Sequence, residues 1–217
     1  MNRKHLMLVT LIFFFGFTIK LQARESKFGI KGGANFSVLN ADDADKNMWI
    51  LGFNGGVTGE FMVNENLGFQ SEIVYTTKGG KTTYNENFLG LNIADGETKL
   101  MLSYIEVPIH LSLYLGDAFR VYAGPYVGFL MKSKVETDTE VLGFMNVNDE
   151  EEIDNDYFNN MDYGLSGGVE FLLDPVFLGA KYSVGLQQVA NPDEATNEII
   201  GNAKNNTFQI YLGIYLN

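Results

Sequence analysis

From residue 27 to 37 the chain alternates between two kinds of side chain. Phe28, Ile30, Gly32, Ala34 and Phe36 make one set; Lys27, Gly29, Lys31, Gly33, Asn35 and Ser37 make the other. A period of two marks a strand with one apolar face, and about ten residues is the length a tilted strand needs to cross a bilayer. The pattern returns seven times, near 50–63, 67–78, 100–115, 119–132, 161–173, 176–188 and 207–216. It is clearest in the fourth stretch, where Ile105, Val107, Ile109, Leu111 and Leu113 oppose Tyr104, Glu106, His110, Ser112 and Tyr114. The third sets Leu67, Phe69, Ile73 and Tyr75 against Gln70, Glu72, Thr76 and Lys78.

Connections alternate in length as well. Asn64-Glu65-Asn66, Gly116-Asp117-Ala118 and Asp174-Pro175 are short, and the other four connections are long. Short turns at one rim and long loops at the other organise an outer-membrane barrel. The expected fold is therefore all-β, an eight-stranded antiparallel up-and-down transmembrane β-barrel. An even strand count puts both termini at the short-turn rim, which is expected to be periplasmic. Pro108 and Pro125 each remove a ladder hydrogen bond in a fold without edges, so a bulge is expected at each.

Side-chain volume decides which face is inside. The interior of an eight-stranded barrel is only just wide enough for side chains to fill. The apolar set is bulky, whereas the polar set carries Gly29, Gly33, Gly56, Gly124, Gly164, Gly168, Gly179 and Gly213 among others. The polar set thus fits the lumen and the apolar set meets lipid. The expected lumen charges are Lys27, Lys31, Glu60, Glu72, Glu106, Arg120, Lys132, Asp162, Glu170 and Lys181, together with His110. Confined charges must pair, because an uncompensated one costs several kcal/mol. Lys31, Glu60, Glu72, Glu106, His110, Arg120, Asp162, Glu170 and Lys181 are accordingly read as a structural polar network that plugs the lumen.

The start of the chain sets the compartment. Arg3 and Lys4 precede an apolar run from Leu6 to Ile19, and Leu21-Gln22-Ala23 supplies a small-residue exit. This is the order of a secretory signal peptide, expected over 1–23 and leaving a barrel domain at 24–217. The run of about 14 residues is shorter than the roughly 20 of a membrane-spanning helix. With no cysteine in the chain, neither a lipoprotein nor a disulfide framework is expected.

Charge narrows the partners. The 217 residues carry a formal net charge of −12, and removing 1–23 takes away three basic residues and no acidic ones. Such acidity argues against nucleic acid. The expected partners are outer-membrane lipid and envelope or secretion-system proteins met through the extracellular loops. No cofactor is expected.

Several segments resemble one family. Phe28-Gly29-Ile30-Lys31-Gly32-Gly33-Ala34-Asn35-Phe36-Ser37 looks like the opening strand of the PorT-like outer-membrane barrels of Bacteroidota. Tyr104-Ile105-Glu106-Val107-Pro108-Ile109, Gly124-Pro125-Tyr126-Val127-Gly128 and 162–171 resemble later strands of that family. The resemblance covers the mature chain in order. It implies the same fold and membrane, and a family member implicated in secretion through the type IX system. Outer-membrane barrels usually end on an aromatic residue; this chain departs from that, ending Tyr215-Leu216-Asn217.

Two candidate sites are weighed against plainer readings. His110, Ser112 and Glu106 share one strand face and could form a hydrolytic set of a lipid-modifying enzyme. However, they point to a filled interior and alternate residues lie about 7 Å apart, so a hydrogen-bonded lumen histidine and no enzyme are expected. The segment 133–160, with Asp149-Glu150-Glu151-Glu152 at its centre, could hold Ca²⁺ but lacks the spacing of a calcium loop. It is read as a solvated acidic loop. Val141-Leu142-Gly143-Phe144-Met145 within it is either a strand extension above the membrane or a partner contact. A small-solute pore is the remaining alternative, disfavoured by the strand count.

Overall fold

The computed structural model describes residues 26–40, 48–88, 91–141, 145–191 and 201–216. The segment expected as a signal peptide, and residues 142–144 of the apolar patch, lie outside the described residues. Nine strands follow in order: β1 (Lys27–Asn40), β2 (Ile50–Met62), β3 (Leu67–Phe88), β4 (Leu91–Tyr114), β5 (Phe119–Val141), β6 (Met145–Ile153), β7 (Met161–Leu173), β8 (Val176–Gln188) and β9 (Lys204–Tyr215). Eight of them close an antiparallel ring. β1 pairs with both β2 and β9, and β4 with β5, so the ring runs β1-β2-β3-β4-β5-β7-β8-β9. Closure satisfies every strand edge of the ring, which a membrane demands of any spanning sheet.

Alternation sorts the side chains into two media. In β9, Asn205, Thr207, Gln209, Tyr211 and Tyr215 are buried while Phe208, Ile210, Leu212 and Ile214 are exposed. In β4, Glu106, His110 and Ser112 are buried while Ile109, Leu111 and Leu113 are exposed. The polar set is thus inside and the apolar set outside, the reverse of a soluble protein.

Three short turns gather at one rim with the two described ends of the barrel. Asn64 Oδ1 accepts from the amides of Asn66 and Leu67, both at 2.9 Å, fixing the β2–β3 turn. Gly116 closes the β4–β5 turn at a φ of 76°, where a side chain would be strained. β1 and β9 meet at the same rim, with Gly29 opposite Tyr215.

The opposite rim corrects several expectations. The stretch 133–160 is largely strand, not loop: β5 runs to Val141 and β6 pairs with it from Ser133↔Ile153 to Val141↔Met145. β3 and β4 likewise continue as a hairpin to Phe88 and Leu91. β3, β4, β5 and β6 therefore extend beyond the ring as a four-stranded sheet. Alternation is weak in the sequence there, so only pairing reveals the strands. The prolines do not make bulges. The β4–β5 register on either side of Pro108 and Pro125 is the same, with pairing resuming at Leu111↔Ala123. The shift falls instead at Ser103/Tyr104. There Lys132 pairs with Ser103 and Leu130 with Tyr104, leaving Met131 as an extra residue. Both Met131 and Lys132 consequently face out, and Ser133 takes the interior position.

Glycine makes room inside the ring for aromatic rings from the neighbouring strand. Gly179 lies opposite Tyr211 and Gly168 opposite Tyr122. A Cβ on Gly179 would sit 2.3 Å from the Tyr211 ring, and one on Gly168 would sit 2.5 Å from the Tyr122 hydroxyl. Gly179→Ala is therefore expected to displace Tyr211 and lower the temperature at which the folded band disappears on unheated-versus-heated gels. Alanine at the turn residue Gly201, with open space around its Cβ position, tests the contrasting case of backbone strain without a clash. Its effect is expected to be smaller.

The sheet extension has its own ionic ladder. Glu136 accepts from Lys134 and Lys99, each at 3.0 Å, and these bonds hold its carboxyl below the usual carboxylate range. A carboxylate depressed in the folded state contributes stability above its unfolded pKa and loses it as pH falls through the folded value. Acidification is thus expected to speed amide hydrogen exchange in 97–101 and 133–137 while the heat-resistant barrel persists.

Candidate functional site: the charged lumen

Strand parity delivers nine lumen charges from seven strands, and geometry sorts them into two connected groups. Near the short-turn rim, Arg120 of β5 lies between Glu60 of β2, 2.6 Å from its Nη1, and Glu170 of β7, which pairs with Nη2. Tyr215 donates to Glu60 at 3.0 Å, Tyr211 to Glu170 at 2.6 Å, and Arg120 to the Tyr114 hydroxyl at 2.9 Å. Five strands, β2, β4, β5, β7 and β9, thus meet on one guanidinium centre.

Deeper in, charges alternate along a chain. Lys31 pairs with Glu72 at 2.7 Å, and Lys181 stands between Glu72 and Glu106 at 3.6 and 3.4 Å. Lys78 then joins Glu106 at 2.6 Å to Asp162 at 3.0 Å. Two tyrosine faces cover the lysines: Lys31 lies 3.8 Å from the Tyr211 ring centre and Lys78 4.3 Å from that of Tyr126. Gln70 bridges the two groups, donating to Glu72 at 3.1 Å and to Glu170 at 3.5 Å. Each of these ionic side chains is at most a few per cent exposed.

All nine residues of the expected polar network lie in this interior: Lys31, Glu60, Glu72, Glu106, His110, Arg120, Asp162, Glu170 and Lys181. Lys78 belongs with them, a lumen charge outside the expected set. Its parity with Glu72 and Thr76 carries the signal, for all three are buried on the interior face of β3. Two expected lumen charges are elsewhere. Lys132 faces out because of the bulge and pairs with Glu152. Lys27, at the start of β1, remains partly exposed and lies 3.6 Å from Asp174 at the rim.

His110 does not assemble with Ser112. Its Nε2 lies 2.7 Å from Ser166 Oγ of β7, and its ring packs against Tyr122 at 4.8 Å between centres. Among the described residues Nδ1 has no hydrogen-bond partner, and Glu106 is engaged by Lys78 and Lys181. No carboxylate therefore orients the imidazole, and the ring is fully buried.

Apolar clusters close both ends. At the long-loop end Leu39, Leu100, Leu102, Leu130, Phe158, Val189 and Ala203 pack together over Tyr104. Phe158 is held there by backbone pairing with Ala190, while the Asn159 side chain donates to the carbonyls of Gln188 and Ala190, both at 2.8 Å. At the short-turn end Phe177 packs with Tyr211 and Tyr215.

A closed eight-stranded ring, apolar outside and ionic within, is the architecture of an outer-membrane barrel. Residues 16–191 match the family described as outer membrane protein beta-barrel domain, and the chain belongs to that family. No curated protein sequence matches it. Among solved structures it is similar to Ail, the attachment invasion locus protein of Yersinia pestis, with 13% identity and a TM-score of 0.44 over 89% of this chain and 100% of that one. It is also similar to Neisserial surface protein A, with 12% identity and a TM-score of 0.48 over 88% and 99%. OprG from Pseudomonas aeruginosa gives 16% identity and a TM-score of 0.34 over 88% and 94%. Family membership rests on the family match and not on these likenesses.

Removing one member of a buried ionic group leaves the others uncompensated, typically costing about 3–5 kcal/mol. Arg120→Leu is expected to destabilise the barrel by that order, read as urea unfolding in micelles. The triple variant R120L/E60Q/E170Q is expected to recover most of the loss. If the triple variant unfolds as readily as the single one, the cost lies in packing and not in unpaired charge.

Proposed function

We propose that this protein is a non-enzymatic outer-membrane barrel of structural or interaction role, whose lumen serves as a brace and whose extended sheet meets partners. The carrying observation is the filled lumen. Ion pairs span its middle from Arg120 to Asp162, and apolar clusters close both ends. In such an arrangement the nine-residue network with Lys78 holds the strands together across the bore. The chain is exported with 1–23 as a cleaved signal peptide and 24–217 as the barrel domain. Both termini then lie in the periplasm, and the β3–β6 sheet stands outside the cell.

The likeness of 28–37, 104–109 and 162–171 to PorT-like barrels of Bacteroidota supports a secretion-assisting role. In that role the extended sheet contacts envelope or secretion-system proteins. A strain lacking the protein tests it: retained cell-surface cargo favours the role, and undiminished secretion removes it.

Conductance tests the filled lumen directly. The purified barrel in planar bilayers is expected to show no stepwise current at neutral pH. Regular unitary steps, absent from a boiled control, would instead make it a small-solute pore.

A further inference from the structure

Three hydroxyl-bearing residues lie abreast on the wall formed by β8, β9 and β1. Ser183 pairs with Thr207, and Thr207 with Ser37. All three are essentially inaccessible, while their neighbours Tyr182, Val184, Phe208 and Phe36 are exposed on the outer wall. Strand alternation therefore turns the three hydroxyls inward.

None of these hydroxyls has a hydrogen-bond partner among the described residues. Gln209, two residues from Thr207 on the same interior face, donates its Nε2 to Thr76 at 3.2 Å and leaves Oε1 equally unpartnered. Buried polar groups are almost always hydrogen-bonded, so these four exceptions on neighbouring interior positions, with Asn205 Oδ1 two residues before Thr207 as a fifth, point to a ligand. Their chemistry describes it: three groups that both donate and accept, beside one that only accepts. A small neutral molecule with donors and acceptors fits that set.

The surroundings select among such molecules. The next interior row toward the long-loop end brings Leu39 of the apolar cluster opposite Asn205. The next row the other way brings Lys181, Gln209 and Asn35 of the polar interior into line. The row thus lies between an apolar closure and the charged layer, with both lumen ends covered. Polar enclosures offering several hydrogen-bonding groups hold ordered water, whereas apolar ones stay dry.

We propose that Ser37, Ser183, Thr207 and Gln209 Oε1 form an internal hydration site, which holds long-lived water between the apolar closure and the ionic chain. The site rests on the filled-lumen reading and adds a ligand to it. Its water completes the hydrogen bonding of this row on the β8–β9–β1 wall, whose four side chains take no part in the ion pairs.

The test uses the full mature barrel, isotopically labelled and folded in detergent micelles, with water itself as the probe. Nuclear Overhauser measurements are expected to show cross-peaks from water to the Thr207 methyl and to the β-protons of Ser37 and Ser183, with the sign of a long-lived bound molecule. Absence of those cross-peaks overturns the site, as does the sign of rapidly exchanging water, which indicates an open path. A second measurement is Thr207→Val, which keeps shape and removes the hydroxyl. If water bridges Thr207, the unfolding temperature falls by about 2–4 °C; if the hydroxyl is merely unpaired, the temperature rises and the proposal fails. Failure here in a non-conducting barrel removes the hydration site alone, whereas unitary conductance removes the filled lumen beneath it.

Discussion

Every feature of this barrel follows from the absence of water around its backbone. In hydrocarbon an unpaired N–H or C=O costs several kcal/mol, so a spanning sheet must close on itself. Closure of β1 onto β9 and of β4 onto β5 meets that demand. Eight strands set the bore, and a bore this narrow is filled by side chains. The exterior then needs bulk and apolarity, and the interior needs small residues and satisfied charge.

The interior meets its two requirements with different residues. Glycine at 168 and 179 gives way to tyrosine from the adjacent strand, so each close cross-strand pair fills space at one level. The tyrosine hydroxyls then become donors: Tyr211 reaches Glu170 and Tyr215 reaches Glu60. Packing and charge compensation are thereby coupled, because the ring that fills the glycine gap also completes the coordination of a carboxylate. A buried ion pair is weak evidence for net stability against an apolar core. In a barrel whose polar face must point inward, however, the relevant alternative is an unpaired charge, and against that reference the network is strongly favourable. Its connections run between strands distant around the ring, such as β3 to β7 through Lys78 and Asp162. It braces the barrel across its diameter where backbone ladders act only along its wall.

Beyond the membrane the same chain obeys different rules. Among the described residues of the β3–β6 extension, ion pairs cross between strands and reach water, as with Lys132 and Glu152. Such pairs contribute little each, and the extension is held mainly by continuation of ladders anchored in the ring. The bulge at Ser103/Tyr104 marks the change of regime. It turns Lys132 outward at the point where β5 leaves the barrel. A barrel with an ionic interior that carries an extended sheet is a physical division between anchoring and contact, and the proposed interaction role uses it.

The membrane-spanning strands were legible from the sequence because lipid on one side and a confined lumen on the other impose a strict period of two. Phe28 to Phe36, or Ile105 to Leu113, could alternate so cleanly only with a different medium on each face. The same parity assigned Glu72, Glu106, Arg120 and Lys181 to the interior, and it also carried Lys78. The sequence could not reveal β6 or the outer halves of β3, β4 and β5, since their polar runs, such as Asp149-Glu150-Glu151-Glu152, carry no apolar period. Nor could parity survive the extra residue at Met131, which moved Lys132 from the lumen to the surface. Partners were also beyond it: His110 meets Ser166 on a strand far away in the chain, not Ser112 beside it. Which face is buried is a local property repeated along each strand, so sequence alone determines it. Which charge meets which depends on shear and register around a closed ring, and only the tertiary structure decides that.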